Sequence, residues 1–119
     1  NFKVFLVNFK RLNNILKSSD ILTFSNFDIN INLFQTPIET KLFQAINDLK
    51  KVIKISEFEL NNQEVFLKAI KELQIPINLF FETIIVNVEN EAIKDNRLKL
   101  MFSLRELIIK YSNFDIIED

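Results

Sequence analysis

Thr36-Pro37-Ile38-Glu39-Thr40-Lys41-Leu42-Phe43-Gln44-Ala45-Ile46-Asn47-Asp48-Leu49 is the stretch whose reading decides the fold class. Its first four residues form a capping box with proline at the first helical position. The Thr36 hydroxyl can accept from the backbone N–H near Glu39, and the Glu39 carboxylate can accept a bond in return. Leu42, Phe43, Ile46 and Leu49, continued by Val52 and Ile53, then recur at the spacing of one helix face, and the helix is expected to end near Ser56.

Toward the N-terminus, Phe2, Phe5, Leu6, Phe9, Leu12 and Leu16 repeat the same period and predict a first helix over 2–16. Lys3, Lys10 and Lys17 lie seven apart and line up opposite its core face, with Arg11 on the flank beside Val7 and Asn14. No acidic residue precedes Asp20, so the exposed face of this helix is purely basic. Between the two helices Ile29, Ile31 and Leu33 alternate with Asn30 and Asn32. No second strand exists to pair with them, so 18–35 is expected to be a packed connector with a little extended structure.

Toward the C-terminus, Asn61 or Asn62 can cap a third helix that faces Val65, Phe66, Ala69, Ile70 and Leu73 inward. Pro76 is expected to end it and to open a short fourth helix carrying Ile77, Phe80, Phe81, Ile84 and Ile85. After the turn Asn87-Val88-Glu89-Asn90, a last helix is expected from about Glu91 to Tyr111, with Ala92, Ile93, Leu98, Met101, Phe102, Leu104, Leu107 and Ile108 apolar. The sum is an all-α, antiparallel helical bundle of about five helices, a single domain over 1–119.

Composition narrows the chemistry. The chain has 119 residues, 48% apolar and 26% charged, with 13 Phe and a net charge of -1, enough apolar surface for a true core. It contains neither Cys nor His, which removes disulfides, thiolate metal sites, Cys or His nucleophiles and the neutral-pH proton shuttle. It also lacks Gly, which excludes the glycine-rich phosphate cradles of P-loops and dinucleotide folds. These absences argue against a self-contained enzyme. No apolar run approaches the roughly 20 residues of a membrane helix, and the start Asn1-Phe2-Lys3-Val4 lacks the order of a signal peptide, so a cytoplasmic location is expected. A helical pattern already running at Phe2 without an initiating Met predicts a fragment of something longer.

Two stretches carry a family resemblance. Phe80-Phe81-Glu82-Thr83-Ile84-Ile85-Val86-Asn87-Val88-Glu89-Asn90-Glu91-Ala92-Ile93-Lys94-Asp95-Asn96-Arg97-Leu98-Lys99-Leu100-Met101 resembles the FFD-x-VMV, DALR-like turn and NRL-x-LL found near the C-terminus of the beta subunit of bacterial glycyl-tRNA synthetase. Lys10-Arg11-Leu12-Asn13-Asn14-Ile15-Leu16-Lys17 is similar to the KR-V-x-NIL-x-K of the same domain, and Leu73-Gln74-Ile75-Pro76-Ile77 falls where that family has a leucine, a proline and a hydrophobic residue. The departures keep charge or apolarity: Glu82 replaces an Asp, Ile85 a Met, and Glu91-Ala92-Ile93-Lys94 stands for Asp-Ala-Leu-Arg. Phe9 stands where an Asn commonly precedes the KR pair.

The resemblance implies a DALR-type anticodon-binding domain, a fragment of a longer beta subunit and not itself catalytic. Glycine activation, with its ATP and Mg2+, would lie elsewhere in the holoenzyme, chiefly in the alpha subunit, so no cofactor is expected here. The implied partners are glycine tRNA, the alpha subunit and the rest of the beta subunit, with no role for membrane or DNA. Anticodon reading needs donors for base edges, planar groups for stacking and cations for phosphates, and arginine supplies all three. Arg11 matches a position where related arginyl-tRNA synthetases also place a first-helix arginine, and it is the leading tRNA contact, with Lys10, Asn14, Lys17 and Lys3 around it. Lys94, Asn96 and Arg97 are either tRNA contacts or structural. Arg97 can pair with a carboxylate at helical spacing or with a neighbouring helix end, and Asn96 can bond backbone. Phe80 and Phe81 read as core, Tyr111 as a core ring with its hydroxyl at the surface, and Glu89 with Glu91 as a charge cluster at a helix N-terminus. Two alternatives stay open: the anticodon-binding domain of an arginyl-tRNA synthetase, and a helical protein-interaction module without RNA binding.

Overall fold

The computed structural model describes residues 2–56, 63–84, 86 and 88–111. Among them are four α-helices: α1 (Phe2–Lys17), α2 (Pro37–Ser56), α3 (Gln63–Thr83) and α4 (Glu91–Tyr111). The fold is all-α, as the periodicity predicts, with one fewer helix than expected. The expected third and fourth helices are one, and Pro76 lies inside it. An interior proline removes the N–H that would bond the carbonyl of Glu72, a cost of about 3 kcal/mol. Leu73, Ile77, Phe80 and Phe81 form one buried stripe that crosses the proline. Each such side chain contributes about 1.5–3 kcal/mol on burial, so burial on both sides of Pro76 outweighs the local penalty. The cap at Asn61 or Asn62 lies outside the described residues, as do the side chains of Phe2, Phe5, Val52, Ile53, Val65, Phe66, Ile70, Ile85 and Tyr111.

α4 is the central helix. Leu98, Leu100, Met101, Leu104, Leu107 and Ile108 are all buried, and so are Asn96 and Arg97, which leaves little of its circumference to water. Leu100, which a one-sided reading of the stripe passes over, is fully buried. Asn90 caps the helix, its side chain accepting from the Ile93 N–H at 3.1 Å. α1 lies alongside through Phe9, Leu12 and Leu16. α2 contributes Leu42, Ile46 and Leu49 and packs most extensively on α3.

The expected antiparallel arrangement does not extend to α1 and α3. The Asn8 amide donates to Asn78 Oδ1, and one turn later Arg11 lies over Phe81, so the two helices run in the same direction. Asn8 is buried to make this bond, a placement that the apolar pattern of α1 does not signal.

The connector is more regular than expected. It holds two 3-10 turns, Ile21–Thr23 and Ile31–Leu33, in place of a strand-like segment. Both are fastened to α4. The side chain of Asn96 accepts from the Asn30 N–H at 2.8 Å and donates to the Asn30 carbonyl at 2.9 Å. Phe27 stacks on Phe102 with centroids 4.2 Å apart, Lys99 lies over Phe24, and Arg105 over Phe102. Backbone groups that a lone strand would leave unpaired are thereby satisfied by side chains. Among the described residues no helix is long and apolar enough to cross a membrane.

Candidate nucleic-acid interface

Leu12 and Leu16 anchor the inner face of α1. Helical geometry then sets Arg11 and Ile15 on the flank toward α3 and the start of α4. There the ends of three helices and the chain after α1 enclose a cleft of about 520 Å³. Arg11 and Ile15 line it from α1, Phe81 from α3, Lys94 and Leu98 from α4, and Ser18 to Asp20 from the chain beyond α1. Ile84 and Val86 complete the wall.

Phe80 is buried and meets Phe81 edge to face, 5.8 Å between centroids at 87°, which fixes the Phe81 ring. The guanidinium carbon of Arg11 sits 5.3 Å from the centroid of that ring. Stacked in this way, Arg11 is oriented without using its N–H groups, and among the described residues it makes no hydrogen bond or ion pair. Lys94 lines the cleft, is half-buried and reaches Glu91 at 3.7 Å, a loose i,i+3 pair. Ser18 and Ser19 donate to the carbonyls of Ile15 and Leu16 and close the end of α1.

The sequence-predicted residues divide into three groups. Arg11 and Lys94 come together at the cleft from opposite ends of the chain. Lys3, Lys10, Asn14 and Lys17 are exposed on the adjoining face of α1, with the lysine stripe turned about 100° around the helix from Arg11. Asn96 and Arg97 point inward. Arg97 Nε and Nη2 each lie 3.3 Å from a carboxylate oxygen of Glu39, in a pair whose side chains are 8% and 0% exposed. Of the two structural readings of Arg97, the neighbouring helix end is the one realised, and Asn96 bonds backbone as its residue type allows.

Glu39 is the residue that the capping box only half describes. Its Oε1 accepts from the N–H groups of Gln35 and Thr36 at 3.0 and 3.1 Å, and the Glu39 N–H reaches the Thr36 hydroxyl at 3.4 Å. The cap is therefore formed, and the same carboxylate is the buried partner of Arg97. Sequence reasoning also missed the second use of Phe81, which is a core side chain by burial and the platform of Arg11 by the ring face that the guanidinium covers. It missed Asp20 as part of the cleft as well, because nothing in the helix pattern reaches past Lys17.

A family model described as the DALR anticodon binding domain matches residues 5–112. A glycine–tRNA ligase beta subunit of Thermodesulfovibrio yellowstonii is 36% identical over 110 residues, which cover 91% of this chain and 15% of that protein. A protein of the same name from Leuconostoc citreum is 32% identical over 90 residues, 76% of this chain and 12% of that one. The one from Bacillus subtilis is 33% identical over 88 residues, 74% and 13% respectively. The chain thus spans a small part of the length of the curated relatives it matches. The match over residues 5–112 covers most of an all-α chain, and together with the relative 36% identical over 91% of it shows that this chain belongs to the DALR anticodon-binding domain family.

Proposed function

We propose that this chain is the anticodon-binding domain of a cytoplasmic glycine–tRNA ligase beta subunit, and that the cleft between α1, α3 and α4 receives an anticodon-loop base. The observation that carries the reading is Arg11, stacked over Phe81 with its hydrogen-bond donors uncommitted among the described residues and with Lys94 on the same cleft. Single-stranded loops are read by splaying a base onto a planar group and meeting its edge with fixed donors, while lysines neutralise the flanking phosphates. Lys10 and Lys17, with Lys3 and Asn14 beside them on the same side of the helix, offer that second service on the face next to the cleft. In this reading glycine activation, with its ATP and Mg2+, belongs to the alpha subunit and the rest of the ligase, and this domain selects the tRNA.

The test is nuclease footprinting of glycine tRNA with the full-length ligase. Protection of the anticodon loop should be present in the wild type and lost in Arg11→Ala, while protection elsewhere on the tRNA persists. An identical anticodon footprint for the two proteins would overturn the assignment of the cleft.

A further inference from the structure

Among the described residues Asp20 is the one carboxylate that lines the cleft, and its position has no structural explanation. It precedes the 3-10 turn Ile21–Thr23 at the N-cap place, yet its side chain makes no capping bond. The turn is instead held through the Asp20 carbonyl, which accepts from the Thr23 N–H and hydroxyl at 2.9 and 2.6 Å. Among the described residues the carboxylate has no hydrogen bond or ion pair, Arg11 and Lys94 included. It also follows the C-terminal end of α1, where the helix dipole disfavours negative charge. On a surface that attracts RNA phosphates, a free carboxylate weakens binding unless it meets a donor on the RNA.

Base chemistry supplies that donor. The hydroxyls of Ser18 and Ser19 spend their protons on the carbonyls of Ile15 and Leu16, and Arg11 and Lys94 only donate. Asp20 is therefore the strong acceptor of the cleft. An acceptor beside two donors complements the pairing edge of cytosine, whose N4 amine donates while N3 and O2 accept. Uracil reverses this at two atoms, its O4 accepting and its N3–H donating, and would set the O4 carbonyl against the carboxylate. Carboxylates that read cytosine do so through the N4 amine. Every glycine codon begins with two guanines, so the anticodon bases that pair with them are cytosines in all glycine tRNAs.

We propose that Asp20 is a specificity residue that accepts from the N4 amine of an anticodon cytosine stacked at Arg11 and Phe81, and that it rejects uracil there. The proposal rests on the anticodon reading above. It is tested by the aminoacylation kcat/KM of the full-length ligase on glycine tRNA transcripts in which each of these two cytosines is replaced in turn by uracil. The wild type should prefer cytosine at one position by about 5- to 150-fold, the discrimination of one good base contact.

Asp20→Asn, which can present an amide N–H to O4 and keeps the backbone carbonyl of the turn, should lower the rate on the cytosine transcript and raise it on the uracil transcript. The preference should fall to within about threefold. These opposite movements separate base reading from a loss of folding, which would lower both rates together. An unchanged preference at both positions, or a proportional fall on all transcripts, would overturn the role of Asp20. If Arg11→Ala still abolishes the anticodon footprint in that case, the anticodon reading survives without it. A wild type indifferent to both replacements would remove both.

Discussion

Arg97 and Glu39 meet in the interior as a buried pair, one near the start of α4 and the other in the first turn of α2. The Glu39 carboxylate also satisfies the N–H groups of Gln35 and Thr36, so one side chain closes the cap of α2, holds the end of the connector and neutralises a guanidinium in the core. Its bonds satisfy the desolvated charge from several sides, the condition under which a buried ion pair is tolerated.

Removing one partner should therefore be costly. Arg97→Met is expected to lower unfolding stability by about 3–5 kcal/mol, because it leaves the Glu39 charge buried and unneutralised. Replacing both residues by apolar side chains should cost less than the sum of the single replacements. Urea denaturation of the four members of the cycle measures the coupling, and additive single effects would show that the two charges do not support each other.

Asn96 holds the connector. Asn96→Ala removes both bonds to the Asn30 backbone and is expected to cost about 1–2 kcal/mol, the net worth of two hydrogen bonds whose Asn30 groups water can then reach. Hydrogen exchange at the Asn30 amide should accelerate before that of the core amides of α4. Unchanged protection at Asn30 would mean that the 3-10 turns hold the connector without α4.

Phe81 serves both packing and the cleft, and two substitutions separate these roles. Phe81→Ala should destabilise the fold by about 3–5 kcal/mol, as expected for truncating a buried aromatic. Phe81→Leu keeps most of the buried volume and should cost less than about 1.5 kcal/mol, yet it removes the ring beneath Arg11. Weaker tRNA binding by Phe81→Leu with a near-normal melting temperature would show the ring at work in the cleft. Unaltered binding would make Phe81 a core residue only.

The basic stripe of α1 gives a salt signature. With about three phosphate contacts from Lys3, Lys10 and Lys17, the domain's share of the slope of log K against log salt should be roughly 2 in magnitude. Charge reversal at Lys10 and Lys17 in the full-length ligase should flatten the slope, and reversal at Lys50 and Lys51 on α2 should do less. An equal or larger effect of the α2 pair would move the RNA face away from α1.

What the sequence discloses about this fold is what local chemistry controls. The capping box at Thr36 to Glu39 and the stripe Leu42, Ile46 and Leu49 mark α2 because each signal acts within a turn or two of itself. The stripe of α3 was equally visible, but the weight of Pro76 against the burial on either side depends on what the stripe packs against. Asn8 and the full depth of Glu39 are hidden for a related reason, and the structural roles open to Asn96 and Arg97 come without the identity of their partners. A buried polar residue reads as surface until its partner is known, and the partners lie 58 to 70 residues away. The same limit applies to the cleft. Arg11 stood out through its helix face and its motif, whereas its junction with Phe81, Lys94 and Asp20 arises only from the parallel course of α1 and α3 beside the start of α4.

The central claim is that Arg11 serves tRNA recognition and not the activation of glycine. It is tested most directly by measuring both activities of the full-length ligase carrying Arg11→Ala. Aminoacylation of glycine tRNA should fall, with kcat/KM for tRNA reduced by at least about tenfold, the effect of losing roughly one strong contact, while tRNA-independent adenylate formation from glycine and ATP stays at the wild-type rate. A proportional loss of both activities, or unchanged charging of tRNA, would contradict the account.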